Sequence, residues 1–200
     1  MRLSVRTKFI DYDNDGWKDI FIAQGHVMDD IEQTLPGVRY REPILLMRNN
    51  LGRFEDVSSR SGAPFQTPLA ARGVAFGDLD NDGFIDVAIN CNDGDALILH
   101  NNGNGNHWLL VNTVGTASNR DGVGAQIRLV TESGLEQYAM VSMTGSYLSS
   151  SDKRVHFGLG QDTTVKLLEV TWPGGKVQKM EGIQGDQILT VREPPGKTRG

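Results

Sequence analysis

The sequence contains a single cysteine, Cys91, and no long apolar run. A lone cysteine excludes an internal disulfide and a metal centre built from cysteines. Because no stretch approaches the roughly 18 consecutive apolar residues of a transmembrane helix, we expect no membrane span. Strand-like sequence follows Met1 directly, without the regions that define a signal peptide. The chain is therefore expected to be either cytosolic or a piece of a longer protein.

Basic residues interleaved with aromatics are also lacking, which argues against nucleic acid as a partner. The net charge of −5 is unevenly distributed, with 16 acidic and 10 basic side chains in residues 1–106, against 9 and 10 in residues 107–200. Two short segments, residues 11–19 and 78–86, hold eight of the acidic residues. The acidity is therefore local, which favours two discrete sites over a diffuse acidic surface.

These two acidic segments belong to an internal repeat. FIDYDNDGWKDIFI and FGDLDNDGFIDVAI are nearly the same, and each is followed by a short strand and an Arg-Asn-Asn or His-Asn-Asn turn. Small repeated sheets with tight turns are typical of propeller blades. Because a closed propeller has typically four to eight blades, residues 1–106 are predicted to be the tail of a larger propeller or a two-unit remnant.

The pattern changes at His107, after which seven strand-like segments follow one another without an amphipathic helix. Alternating apolar and polar residues, separated by turns, predict an antiparallel β-sandwich over residues 107–193. The tail, residues 194–200, has no apolar anchor and is expected to be disordered. The predicted fold class is all-β, with partial propeller blades followed by the sandwich.

Each acidic segment is predicted to bind one calcium ion. Aspartates stand at positions 1, 3, 5 and 9 of a nine-residue loop, and a glycine that permits the sharp turn stands at position 6. Clustered carboxylates repel one another unless a cation is present, and calcium prefers carboxylate and carbonyl oxygens. The carbonyl of position 7 would add a backbone ligand. The predicted ligands are Asp11, Asp13, Asp15, Trp17 and Asp19 in the first loop, and Asp78, Asp80, Asp82, Phe84 and Asp86 in the second.

Three alternatives to a calcium-binding hairpin fit the acidic loops less well. An EF-hand begins in the same way, but it needs a glutamate at position 12, where this chain has Ile22 and Ile89. Magnesium retains its waters and suits fewer protein ligands. Two solvated turns would not require the same spacing twice. Asn14 and Asn81, at position 4, are expected to shape the turns rather than to bind metal.

A second candidate site lies in the polar segment at residues 144–154. Tyr147, Asp152 and Arg154 could contact a carbohydrate by ring stacking and hydrogen bonds. The alternative is a polar loop in which Tyr147 packs as a corner. The histidines lack metal-binding spacing, and no Gly-x-Ser-x-Gly motif is present, so we expect no enzyme.

Both parts of the chain resemble known families. GVAFGDLDNDGFIDVAI resembles an FG-GAP or VCBS repeat of integrin-like propellers, although the first copy has Phe9-Ile10 in place of Phe-Gly. The segments SNRDGVGAQIRL, GSYLSSSDKRVHFGLG and LEVTWPGGKVQ resemble the ASPIC/UnbV domain. The resemblance implies that further blades and a signal peptide precede this chain in the full-length protein, and it implies no reaction.

The expected function is that of a calcium-binding adhesion or ligand-binding module, with calcium in a structural role. The expected partner is a protein or carbohydrate at the cell surface or in the matrix, so the full-length protein would be extracellular or at the cell surface. One alternative is a structural spacer in a large surface protein. Another is the accessory domain of a carbohydrate-active enzyme.

Overall fold

The computed structural model describes residues 4–92, 94–145, 147 and 149–195, with side chains from residue 7 onward. Among these residues the prediction of an all-β fold is confirmed. The helices are α1 (Ile31–Thr34), within the polar insert that follows the first repeat, and two 3₁₀ helices at Ser58–Arg60 and Ala63–Gln66. The strands are β1 (Ser4–Ile10), β2 (Asp19–Gln24), β3 (Leu45–Asn50), β4 (Arg53–Asp56), β5 (Ala71–Gly77), β6 (Asp86–Cys91), β7 (Leu97–Leu99), β8 (His107–Val114), β9 (Gln126–Thr131), β10 (Glu136–Met140), β11 (Val155–Gly160), β12 (Thr164–Thr171), β13 (Val177–Gln184) and β14 (Gln187–Arg192).

The repeat forms two small antiparallel sheets, with strand orders β1-β2-β3-β4 and β5-β6-β7. In each sheet an Asp loop connects the first two strands as a hairpin, and neither sheet closes on itself. Alternation along the strands directs apolar side chains to a core shared by both sheets. Phe21 and Phe76 meet there edge-to-face, with ring centroids 5.4 Å apart.

The second part forms two sheets, β10-β9-β12-β13 and β11-β8-β14, that pack around a separate core. Trp108 and Trp172 are both buried. One pairing departs from the antiparallel pattern, because β14 runs parallel to β8. Gly185 and Asp186 connect β13 directly to β14, and the Asp186 amide donates to the Trp108 carbonyl at 2.7 Å. This tight connection carries the chain from one sheet to the other.

The two parts contact each other along β5, whose outer edge is covered by the segment that precedes β11. The Val74 amide donates to Ser149 Oγ at 2.8 Å, and the Asp152 amide donates to the Phe76 carbonyl at 2.9 Å. These contacts occupy backbone groups that an open sheet edge would expose. The domain boundary at residue 107 stays a prediction.

Two further sequence-based expectations concern the ends of the chain and the membrane. Within the described segments, no helix is long and apolar enough to cross a membrane. Residues 196–200, which make up most of the predicted tail, lie outside the described residues.

Candidate metal centre

The backbones of the two Asp loops follow the same path. Asn14 and Asn81, at position 4, have φ of 56° and 64°, and Gly16 and Gly83, at position 6, have φ of 87° and 89°. Asparagine and glycine are the residues that tolerate this left-handed conformation best. The asparagines therefore shape the turns, as expected from the sequence.

The first aspartate of each loop holds the turn together. Asp11 accepts hydrogen bonds from the backbone amides of Asp15 at 3.1 Å and Gly16 at 2.9 Å. Asp78 accepts the equivalent two bonds in the second loop, at 3.1 and 3.0 Å. These bonds curl positions 1 to 6 around a common centre, towards which the other carboxylates can turn.

Three carboxylates converge in each loop. Ligand oxygens lie within 4.8 Å of one another in the first loop (Asp11, Asp13, Asp15) and likewise in the second (Asp78, Asp80, Asp82). In the first loop, Asp13 Oδ1 is buried and has no hydrogen-bond partner. Such orphaned buried oxygens are rare in proteins, because they lose their contact with water without compensation. A hard cation would satisfy this oxygen, so the donor set fits calcium.

The carboxyl pKa values of the Asp loops also favour a bound cation. Burial, with the charges of Asp15 and Asp19 adding to it, raises the pKa of Asp11 to about 7 against the nearby positive charge of Lys18. Burial also raises the pKa of Asp19 to about 6 and raises that of Asp13, and in the second loop it raises the pKa of Asp78. Raised carboxyl pKa values mean that these buried negative charges lack compensation, which a bound cation would supply.

The aspartate at position 9 ties each loop to the repeated Asn-Asn turn. Asp19 accepts hydrogen bonds from the amides of Tyr12 at 3.0 Å and Asn49 at 2.8 Å. Asp86 is bonded in the same way, with Asn101 as the equivalent donor at 2.8 Å. The sequence carries a signal for this role in its repeated Arg-Asn-Asn and His-Asn-Asn phrases, although by themselves these phrases indicate only turns.

The residues at position 7 have different surroundings in the two loops. The amide of Trp17 donates to Asp15 Oδ1, and that of Phe84 to Asp82 Oδ1, both at 2.9 Å. The Trp17 side chain is exposed, whereas the Phe84 ring is buried. Coordination through the carbonyls of these two residues stays a prediction.

A nitrogen-bearing side chain approaches each loop from the residue that precedes the Asn-Asn pair. Arg48 Nε lies 2.8 Å from Asp13 Oδ2, and Arg48 Nη2 lies 3.3 Å from an Asp15 carboxylate oxygen. At the second loop, His100 Nδ1 lies 3.1 Å from Asp86 Oδ1 and 4.0 Å from Asp80. These neighbours were not among the predicted site residues.

The two loops also touch each other and the sandwich. Asn14 is fully buried, and its side-chain amide donates to the Gly83 carbonyl at 3.2 Å. His156, on β11, lies with Nε2 3.0 Å from the same carbonyl, and burial lowers its pKa to about 3, so the neutral ring donates this bond. The Gly160 amide donates to the Asn14 carbonyl at 2.8 Å. No local sequence pattern predicts these contacts.

The structure places two residues of the second candidate site against the second Asp loop. Arg154 pairs with Asp152 at 2.5 Å and donates to Asn81 Oδ1 at 2.7 Å and to the Asp78 carbonyl at 2.8 Å. Tyr147 has an exposed side chain. Asp152 and Arg154 thus join the sandwich to the loop, and their contact with a carbohydrate stays a prediction.

Comparison with known proteins agrees with the arrangement of the two parts. Residues 11–89, which include both Asp loops, match the model of the FG-GAP-like repeat family. Residues 115–198 match the family model described as ASPIC and UnbV. The chain thus matches both family models, each over less than half of its length. The resemblance expected from the sequence is therefore confirmed.

Among individual proteins, the chain is similar to cartilage acidic protein 1. It is 26% identical to the protein of Xenopus tropicalis over 195 residues, which cover 92% of this chain and 28% of that protein. It is 30% identical to the protein of Homo sapiens over 123 residues and 32% identical to that of Mus musculus over 120 residues. Both of these matches cover 58% of this chain and 18% of the relative. The chain thus spans less than a third of the length of these relatives.

Proposed function

We propose that the protein is an extracellular, integrin-like adhesion or ligand-binding module whose two Asp loops each bind a structural calcium ion. The observation that carries this proposal is the duplicated loop geometry, with matching φ angles and three converging carboxylates in each copy. Both copies of the repeat keep the turns and the carboxylate cluster that a shared cation would need. Calcium suits the carboxylate-rich donor set better than magnesium does.

The ions would act by neutralising charge and fixing hairpins. Asp11, Asp13 and Asp15 would hold one ion between β1 and β2, and the equivalent aspartates would hold the other between β5 and β6. Because the loops lie against β11, their order also supports the contact with the sandwich. Carboxylates engaged on one ion are not free to serve as acid and base, so we propose no catalytic role.

The proposed location and partners are supported by the comparisons. An FG-GAP-like repeat and relatives named cartilage acidic protein 1 favour an extracellular setting and an interaction with a protein or carbohydrate. A purely structural spacer is the main alternative. Binding to an array of glycans and matrix proteins, lost with Tyr147→Ala but kept with Asp80→Ala, would favour a binding module over a spacer.

Calcium binding is tested by isothermal titration calorimetry on the metal-stripped chain. We expect two ions per chain, and we expect one ion after Asp78→Asn and Asp80→Asn are combined in the second loop. Asp95→Asn, an exposed aspartate outside the loops, is the matched control and should leave two sites. Fewer than one ion per chain at millimolar calcium would contradict the proposal.

A further inference from the structure

Arg48 and His100 occupy equivalent places beside the two Asp loops. Each directly precedes the asparagine whose amide binds the aspartate at position 9, Asn49 in the first loop and Asn101 in the second. Arg48 lies on β3 and His100 directly follows β7, and these two strands pair with the second strand of their hairpins. The repeat has therefore placed two different side chains at the same position relative to two similar metal-binding loops.

In the first loop, Arg48 contacts oxygens that the ion would need. Its guanidinium lies 2.8 Å from Asp13 and 3.3 Å from Asp15, the aspartates at positions 3 and 5. The guanidinium is permanently charged, and its fork of N–H donors matches carboxylate geometry. Calcium that binds either carboxylate through Oδ2 must displace or share Arg48, and calcium that binds Asp13 through its unpartnered Oδ1 still lies beside the guanidinium charge.

In the second loop, the equivalent neighbour leaves the ligands at positions 3 and 5 more accessible. His100 makes its short contact to the aspartate at position 9, Asp86, at 3.1 Å, and it lies 4.0 Å from Asp80. In the part of the chain that the structure describes, no Lys or Arg side chain pairs with a carboxylate of the second loop. Arg154 reaches this loop only through a backbone carbonyl and the Asn81 side chain.

The two loops consequently present different charges to an incoming cation. Each contains four aspartates, but Arg48 and Lys18 both lie within the field of the first set. The calcium affinity of carboxylate loops is set largely by the charge and rigidity of their ligands. One effect acts in the opposite direction, since the first loop is more buried and any attraction there is less screened. The ion pair of Arg48 with two of the ligands directly opposes calcium binding at the first loop. We expect this opposition to outweigh the stronger attraction of the buried carboxylates.

We propose that Arg48 makes residues 11–19 the weaker calcium site, so that the loop at residues 78–86 fills first. This inference rests on the proposed function, because it assigns unequal affinities to the two proposed sites. It implies that the second loop is already occupied when the first begins to respond to calcium. The first loop would then sense calcium at a higher concentration.

The order of filling can be measured by recording ¹H–¹⁵N NMR spectra during a calcium titration of the full chain. The amides of Gly16 and Gly83 report on one loop each, because they donate to Asp11 and Asp78 respectively. We expect the Gly83 signal to reach its midpoint at a lower calcium concentration. Arg48→Gln should lower the Gly16 midpoint by roughly two- to fivefold, the range expected when a partly exposed ion pair is removed.

Three variants separate charge from structural damage. Arg48→Lys keeps the charge, so the first loop should remain the weaker site. The exchange of Arg48→His with His100→Arg should reverse the order of filling. Lys179→Gln removes an equal charge from an ion pair with Glu169 in the sandwich and should change neither midpoint.

Two negative results have different meanings. Equal midpoints in the wild type, unchanged by Arg48→Gln, would overturn the inference and leave the proposed calcium sites intact. An absence of calcium-dependent shifts at both glycines would contradict the proposed function itself. Well-dispersed spectra without calcium establish that a variant is folded before its midpoints are compared.

Discussion

Residues 11–19 and 78–86 fold into loops with the same left-handed turns and the same amide bonds to their first aspartate, yet their surroundings differ. In the first loop, the Asp13 side chain is 13% exposed and is paired with Arg48. In the second loop, the Asp80 side chain is 52% exposed. The local motif determines the backbone conformation of each loop. Residues distant in sequence determine how exposed its carboxylates are and which cations pair with them.

The glycines at position 6 give the largest expected contrast between the loops. A methyl group at Gly83 would overlap the ring of Trp108, which is buried and rigid, whereas one at Gly16 would meet the end of the flexible Leu135 side chain. Both positions also carry the cost of a positive φ. We expect Gly83→Ala to lower the free energy of unfolding by about 3 kcal/mol or more and Gly16→Ala by about 1–2 kcal/mol.

Denaturant unfolding of both glycine variants in chelator measures this contrast without the contribution of metal. Gly52→Ala provides a control for the backbone cost alone, because it has φ of 91° and open space around it. If Gly16→Ala proved as costly as Gly83→Ala, the close packing of the second loop on Trp108 would not be the cause.

The second contrast concerns the ion. Asp80→Ala should lower stability by up to about 2–3 kcal/mol in excess calcium, because ligand binding stabilises the folded state by mass action. In chelator the loss should be below about 0.5 kcal/mol, since an exposed carboxylate there mainly repels its neighbours. Thermal unfolding with and without calcium measures both values. An equal loss under both conditions would mean that Asp80 stabilises the metal-free fold.

The third contrast uses the buried charge of the first loop. Burial raises the pKa of Asp11 to about 7, above its ordinary value near 4. Without calcium, its contribution to stability is complete below about pH 4 and is lost as the pH rises through 7. Asp11→Asn removes this dependence, so in chelator the variant should gain several degrees of melting temperature relative to the wild type between pH 5 and pH 8.

Comparing the wild type with Asp11→Asn cancels the contributions of all other titrating groups to the pH dependence of stability. His156, whose pKa is lowered by burial, destabilises the fold as the pH falls below about 6.5, but it is present in both proteins. A difference between wild type and Asp11→Asn that did not change with pH would contradict a raised pKa at Asp11. In excess calcium the wild type should be the more stable of the two at pH 8.

The smallest expected effect is on the sandwich. It has its own core and no Asp loop, so residues 107–193 should unfold cooperatively, with the same melting temperature in calcium and in chelator. Calorimetry of this segment tests the predicted boundary. A segment that stays unfolded, or that folds only with calcium, would mean that the contacts of His156 and Gly160 with the loops are essential for folding.

Short-range patterns in the sequence predicted most of the fold. Alternation of apolar and polar residues after His107 predicted strands, and the repeated DxDxDGxxD spacing predicted two equivalent loops that the structure shows with equivalent turns. These features depend on residues that are close together in the chain.

Contacts between distant residues could not be predicted in this way. Asn14 and His156 meet at the Gly83 carbonyl from positions 69 and 73 residues away. The parallel pairing of β14 with β8 likewise depends on which sheet the chain enters after a two-residue connection. Arg48 is an intermediate case, because the repeated phrase pointed to its position but not to the carboxylates that it contacts.

The most direct test of the two-ion proposal is anomalous diffraction from crystals of the full chain grown in calcium. Two anomalous peaks are expected, one bounded by Asp11, Asp13 and Asp15 and the other by the equivalent aspartates of the second loop. Each ion should lie roughly 2.3–2.6 Å from its carboxylate oxygens. The absence of a peak in both loops, with the same turns preserved, would contradict the claim that these loops exist to hold calcium.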